Sequence, residues 1–339
     1  MEIPYSVNIK KGLLQYKQEA ADYELKVSGL VCELQDLTED KLIELIEACR
    51  GCQGHYIVLS TMNCEAGVLE KIIANCAMKL ADYKVPIFIE NGCRGNDISG
   101  YFYNAYSDVS DLISIIDYCK SFCKELTMGI CYNIGYANLL EKNISSQLRQ
   151  CGEYLCIVHG NDNDGRRNDK QMPYTFTKGR GDLTTDWYHI IRELIHLQFH
   201  GWFVFDTAGL FGRCPERLHT YFIRLLHAIA VEWEKQYTFA ERVLAIPGKK
   251  LILFGAGQML KDYMRVFGEK YPPYFAVDNG PDRWNTEQMG VSIKNPQEIL
   301  SVPEDERNVV ICCMYYDAVG AQLRKMGVAY EEFHDRYFV

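Results

Sequence analysis

Between residues 55 and 206, short continuous apolar runs alternate with longer stretches whose apolar positions recur every three or four residues. HYIVLS (55–60), PIFIEN (86–91), MGICYN (128–133), YLCIVHGND (154–162) and GWFVFD (201–206) are runs of the first kind, each closing on polar residues. Strands buried on both faces of a parallel sheet read this way. Between them LEKIIANCAMKLADYK, DLISIIDYCKSFCKEL, SSQLRQC and DWYHIIRELIHLQF carry helical spacing, and a long amphipathic helix is expected from Pro215 to Glu241. So many β-then-α units in one series favour a TIM (β/α) barrel, with a doubly wound sheet as the alternative. The first fifty residues fit less regularly. ELKVSGLVCEL alternates weakly like a strand, and DKLIELIEACR has helical spacing with Leu42, Leu45 and Ile46 on one side. The barrel is therefore expected to be irregular at its start.

The helical pattern stops at Pro247-Gly248, which cannot continue a helix, and the rhythm restarts. LILFGAG, a helix, PYFAVD, GVSIKNP, a helix, NVVICCM, a helix and a short strand near YEEF follow. We expect an α/β protein with a barrel over residues 1–246 and a small Rossmann-like domain over 247–339.

A length of 339 residues suits two domains. The net charge of −9 lacks the basic surface that nucleic acid requires, so no nucleic-acid partner is expected. No apolar run reaches the roughly 20 residues of a membrane span, and the start MEIPYSVNIKKGLL has no signal-peptide core, so no membrane partner and a cytoplasmic location are expected. The fourteen cysteines lie in apolar stretches, as buried thiols of a reducing compartment do. Cys49 and Cys52 have CxxC spacing, but no second pair follows at a zinc-binding distance.

In a barrel of this kind the chemistry sits at the carboxyl ends of the strands. Four strands end on Glu90, Asn133, His159 and Asp206. Two carboxylates, an amide oxygen and an imidazole could form an octahedral site for a divalent metal, Mn²⁺, Mg²⁺ or Zn²⁺. His196 and His200 have the spacing of a zinc pair but lack the glutamate of an HExxH helix, so a surface role is expected of them, as of His189.

GICYNIGYANLL, IVHGNDNDGRRND, TKGRGDLTTDW and GWFVFD, in this order, resemble the xylose-isomerase-like barrels, which include sugar-phosphate isomerases and epimerases, hydroxypyruvate isomerase and endonuclease IV. Members commonly read LCLDTGHAN, HLHDNDG, PGEGDIDW and G-LTLE at these places, with an earlier strand ending in EN, as Glu90-Asn91 does here. The resemblance spans residues 55 to 235. It implies metal ligands at Glu90, Asn133, His159 and Asp206, with Glu90 and Asp206 as the catalytic acid/base pair. It further implies substrate contacts from Tyr136, Asp162, Arg166 and Arg167, with Lys178 and Arg180 adding cations for an acidic or phosphorylated sugar. This chain departs from the pattern in Asn133 for aspartate, Asp206 for glutamate and Tyr136 for histidine. The histidines of an endonuclease IV zinc cluster are replaced by Ser60, Tyr136 and Gln171, although Asp169 remains.

The function so implied is a metal-dependent isomerase or epimerase of a sugar or sugar phosphate, acting through a metal-chelated enediolate on a small carbohydrate. The alternative is an altered barrel that binds a carbohydrate or nucleotide-sugar in polysaccharide synthesis. In the second domain Gly255 and Gly257 open a phosphate-binding type of turn, and Asp278 stands where a ribose-binding acid would. Leu260 replaces the third glycine, and the segment is long enough for only half a dinucleotide fold, so NAD is not expected. The domain resembles those appended to polysaccharide and nucleotide-sugar enzymes.

Overall fold

The computed structural model describes residues 2–4, 17–18, 21, 26–34, 37–176 and 185–333. The chain divides into two compact units, Met1–Leu226 and His227–Val339. No helix among the described residues is long and apolar enough to cross a membrane.

The first unit is built on strands β1 (Glu2–Pro4), β2 (Gly29–Glu33), β3 (Tyr56–Ser60), β4 (Ile87–Glu90), β7 (Met128–Asn133), β8 (Leu155–Gly160) and β9 (Trp202–Phe205). They form one seven-stranded sheet in the order in which they follow along the chain, every neighbour parallel. A small antiparallel hairpin, β5 (Arg94–Asn96) and β6 (Gly100–Phe102), leaves the end of β4. The helices are α1 (Glu39–Gly51), α2 (Val68–Tyr83), α3 (Val109–Phe122), α4 (Ile134–Leu139), α5 (Ile144–Cys151), α6 (Trp187–His196) and α7 (Ala208–Arg213).

Local rules account for these elements. In α1 Thr38 accepts from the Lys41 amide, Glu39 and Asp40 lie in the first turn and Arg50 in the last, a charge order that suits the helix dipole. Its buried residues, Leu42, Leu45, Ile46 and Cys49, follow the i, i+3, i+4, i+7 stripe. Burial of each of the three aliphatic side chains is worth about 1.5–3 kcal/mol. All fourteen cysteines are free and ten of them are buried. The thiols of Cys49 and Cys52 donate to the Tyr56 and Cys49 carbonyls, so this pair is packed into the fold.

The sheet is curled. Glu2 of β1 and His159 of β8 stand first and sixth in strand order, which in a flat sheet would separate them by about 24 Å, five spacings of about 4.8 Å. Their side chains meet at 2.9 Å. One apolar cluster takes residues from β2, β3, β4, β7, β8 and β9, namely Val31, Val58, Phe88, Cys131, Ile157 and Val204, and fills the barrel interior. Eight strands close a complete barrel. Among the described residues there are seven, and no ladder joins β9 to β1.

The expected helix from Pro215 to Glu241 is instead a 3₁₀ turn (Glu216–Leu218), α8 (His219–Tyr237) and a π turn (Ala240–Leu244). The compact-unit division falls inside α8, ahead of Pro247. His196 ends α6 and His200 lies beyond it, so these two are not a helical pair.

The second unit contains β10 (Lys250–Phe254), α9 (Gln258–Val266), β11 (Phe275–Val277), β12 (Thr286–Gln288), β13 (Val291–Lys294), β14 (Arg307–Ile311), α10 (Tyr316–Lys325) and β15 (Glu331–Glu332). Its sheet runs β12-β13-β11-β10-β14-β15, parallel except for β12, which folds back on β13. Where a helix is expected after GVSIKNP, two 3₁₀ turns stand at Pro296–Ser301 and Glu304–Glu306. Pro296 and Pro303 leave too few donors between them for an α-helix to grow.

Candidate active site at the carboxyl ends of the barrel strands

Strand side chains alternate between faces, so the residues two positions after the inward apolar layer also point inward, one layer higher. Those residues are Glu33, Ser60, Glu90, Asn133, His159 and Asp206. The sequence pattern thus places a polar ring on top of the apolar barrel core. Glu33 belongs to this ring and was missed, because the strand carrying it alternates too weakly to fix its register.

The four expected residues converge. Glu90 is 3% exposed, and its Oε1 accepts from Asn133 Nδ2 at 2.8 Å and contacts His159 Nδ1 at 2.6 Å. Asn133 Nδ2 lies 3.5 Å from Asp206 Oδ2. Asn133 also caps α4, its Oδ1 accepting from the Tyr136 amide at 3.1 Å and from Asn161 Nδ2 at 3.0 Å. Asn91 fixes the Asn133 backbone from both sides, accepting from its N–H and donating to its carbonyl. Asp206 follows β9 and its backbone N–H donates to the Gly160 carbonyl at 3.1 Å.

Two residues that sequence reasoning missed complete the arrangement. Glu2 pairs with His159 Nε2 at 2.9 Å and accepts from Tyr56 Oη at 2.8 Å, so both ring nitrogens of His159 face carboxylates. Lys170 sets its ammonium 2.8 Å from Asp206 Oδ2 and 5.9 Å from the centre of the Tyr136 ring. Burial alone would raise the Glu90 carboxyl, but His159 and then Lys170 outweigh it and hold Glu90 down at about 2. Burial would lower the His159 imidazole, and its neighbours Cys131, Glu2 and Glu90 instead push it well above its usual value. Lys170 is likewise raised, its desolvation overcome by Asp206, Glu90 and Glu33. No strand periodicity marks Glu2, in a three-residue strand, or Lys170, in a loop. The one signal for Lys170 was its place at the end of the Asn/Asp-rich stretch.

The remaining expected substrate residues are placed differently. Tyr136 is buried beside the ring. Asp162 is fully buried and its carboxylate is engaged by its own loop, accepting from Thr185 Oγ1 at 2.6 Å, the Phe176 amide at 2.9 Å and the Asn163 amide at 3.0 Å. Arg166 and Arg167 are exposed, and Arg167 pairs with Asp164 and Asp169. Lys178 and Arg180 lie outside the described residues.

Glu90, Cys131 and His159 bring donor atoms within 4.8 Å of one another, a spacing open to a metal ion. The hydrogen bonding opposes it. A backbone amide can only donate, so the Tyr136 N–H identifies the capping atom of Asn133 as oxygen and leaves its NH₂ facing Glu90 and Asp206. His159 has no ring nitrogen turned away from a carboxylate, and Asp206 already holds an ammonium. A positive charge about 4 Å from that ammonium would meet a repulsion of about 4 kcal/mol per unit charge at an effective dielectric near 20. As arranged, these residues do not fit a dication.

In the second unit, Gly255 adopts φ +124°, a backbone that side chains rarely allow, where β10 turns into α9. The Ala256 amide in this turn donates to Asp278 Oδ2 at 2.8 Å, and Arg283 Nη1 donates to the Ala256 carbonyl at 2.7 Å. Asp278 Oδ1 accepts from the Gly280 amide at 2.8 Å, and Gln288 Nε2 donates to the Gly257 carbonyl at 3.1 Å. Leu260 is fully buried.

No protein-family model matches the sequence, and no curated protein matches it. Among solved structures the chain is similar to an L-ribulose 3-epimerase, at 12% identity over 73% of this chain and 88% of that one, with a TM-score of 0.52. Two others are a 3-keto-D-glucoside 4-epimerase from E. coli and a D-psicose 3-epimerase from Clostridium cellulolyticum H10. The first is 16% identical over 65% of this chain and 86% of that one, with a TM-score of 0.47. The second is 14% identical over 60% and 72%, with a TM-score of 0.43. At 12% identity the likeness to the L-ribulose 3-epimerase is one of fold, and it supports an α/β, TIM-like architecture for the curled parallel sheet.

Proposed function

We propose that the first unit takes a small sugar or sugar derivative at the carboxyl ends of its strands and interconverts it as an isomerase or epimerase. The observation that carries this reading is the meeting of Asp206, Glu90 and Lys170 on one polar ring above an apolar barrel core. The fold likeness to a sugar epimerase supports it. Moving a hydrogen beside a sugar carbonyl needs a base at carbon and a positive group at oxygen. Asp206 is the more accessible carboxylate, its side chain 18% exposed against 4% for Glu90, and takes the role of base. Lys170 donates to the carbonyl oxygen and faces the negative charge that develops there. Asp206 then returns the proton to the neighbouring carbon while the hydroxyl of the first carbon gives its proton back to Lys170, which completes isomerisation. Epimerisation follows instead when the intermediate turns its other face to Asp206 before the proton returns to the same carbon and the oxygen's proton returns to Lys170. Glu90, bonded to His159 and Asn133, fixes the ring rather than moving protons.

A second reading is binding without turnover, favoured by the same ion pair: an ammonium 2.8 Å from Asp206 weakens it as a base. The two separate in D₂O. The full chain is incubated with D-tagatose, D-fructose and L-ribulose, and the C1 and C3 protons are followed by NMR. Exchange that Asp206→Asn abolishes supports turnover. Saturation-transfer contact without exchange supports binding alone, and neither contact nor exchange with any sugar contradicts both.

For the second unit we propose a Rossmann-like domain without a dinucleotide site. Its parallel strands run in the order third, second, first, fourth, fifth, and the amide that a phosphate would need already serves Asp278. The domain boundary we propose remains the break at Pro247-Gly248.

A further inference from the structure

We infer that Lys170 stands in for a divalent cation: its ammonium is the positive charge that pairs with Asp206 in the polar ring, and the ring takes up no divalent metal. The Lys170 ammonium lies 2.8 Å from Asp206 Oδ2, and Asn133 Nδ2 joins that carboxylate to Glu90, at 3.5 Å from Asp206 Oδ2 and 2.8 Å from Glu90 Oε1. A cluster of this sign requires a cation, and the chain provides one.

The position of that cation is built in. Asp162 and Gln171 exchange two backbone hydrogen bonds, at 2.8 and 2.9 Å, and so close the loop that carries Lys170. Lys170 itself adopts φ +45°, a left-handed conformation that costs a non-glycine residue and persists only where its surroundings enforce it. Gly209 of α7 supplies part of that enforcement: a Cβ there would lie 1.9 Å from the Asp169 carbonyl, so only glycine lets α7 pack this closely behind the lysine. The Asn133 amide is the second half of the device. A neutral group with its NH₂ turned inward replaces a charge where a third anionic ligand would favour a metal, and it donates to the carboxylates as a metal's hydration shell would.

The inference concerns the cation and stands apart from the identity of any sugar, whereas a role for Lys170 at a carbonyl oxygen rests on the isomerase reading. Its test contains no sugar, so failure here and failure of that reading are told apart. Mn²⁺ is titrated into the full chain and free Mn²⁺ is followed by electron paramagnetic resonance, for wild type, Lys170→Met, and Lys170→Met with Asn133→Asp. We expect no binding by wild type, and at least about tenfold tighter binding by the double variant, lost again on adding Glu90→Gln. Stoichiometric binding by wild type that Glu90→Gln removes would overturn the inference. So would a folded double variant, verified by circular dichroism, that binds no better than wild type. The wild-type titration decides the matter by itself if the variants do not fold.

Discussion

Asn133 carries more of the account than its neutral side chain suggests. It is fully buried, its oxygen is held by the Tyr136 amide, and its nitrogen donates to Glu90 Oε1 at 2.8 Å. Asn133→Asp would exchange that donor for a like charge in contact with Glu90. We expect a loss of about 3 kcal/mol near pH 7, from the broken bond and the unpaired charge together. The sign with pH follows from the pair. Two adjoining carboxylates raise the folded-state pKa of one above its unfolded value of about 4. A group so raised favours the fold at low pH and loses that contribution as pH climbs through its folded value. The deficit of the variant should therefore shrink between about pH 7 and about pH 5, as measured by urea denaturation of both proteins. A variant as stable as wild type at both values would mean that the ring tolerates a third carboxylate there, and that our reading of the amide is mistaken. Asn133 was visible in the sequence because it ends a continuous apolar strand. What its amide does was not, since that depends on Tyr136 and Glu90, which the fold brings together. Lys170 was harder still: its neighbours Arg166 and Arg167 looked the better cations, and only the bridged loop decides which of the three reaches the ring.

At the scale of elements, long apolar runs and stripes were legible because period and length agree. β3, β4, β7, β8, β9, α2, α3 and α6 all appear where the pattern set them. The short elements were not. β1 is three residues long, the β5–β6 hairpin has three residues a strand, and α4 is a single capped stretch of six, too short for a period to show. The turn between β10 and α9 shows a motif whose meaning changes with its partners. GAGQML has the outline of a phosphate loop, yet Asp278 accepts from the Ala256 amide and Arg283 donates to the Ala256 carbonyl. An incoming pyrophosphate would have to displace a carboxylate that also holds the Gly280 amide. NAD at about 1 mM should thus leave the melting temperature of the full chain unchanged, and a rise on the order of 2 °C would contradict this account of the turn.

For the whole molecule, two compact units follow from two series of strand and helix units, the first curled into a TIM-like barrel and the second an open, nearly all-parallel sheet. In the barrel, alternation along each strand puts an apolar layer beneath a charged one, and the same arithmetic concentrates carboxylates at one mouth. With Asp206 and Glu90 both bonded within that mouth, a resident cation there is the central issue. Our account makes that cation a lysine. The most direct measurement is anomalous diffraction at the manganese edge from crystals of the full chain soaked in excess MnCl₂. We predict no anomalous peak at the barrel mouth, with density for the Lys170 ammonium against Asp206. A peak bonded to Glu90 and Asp206, with Lys170 turned away, would contradict it.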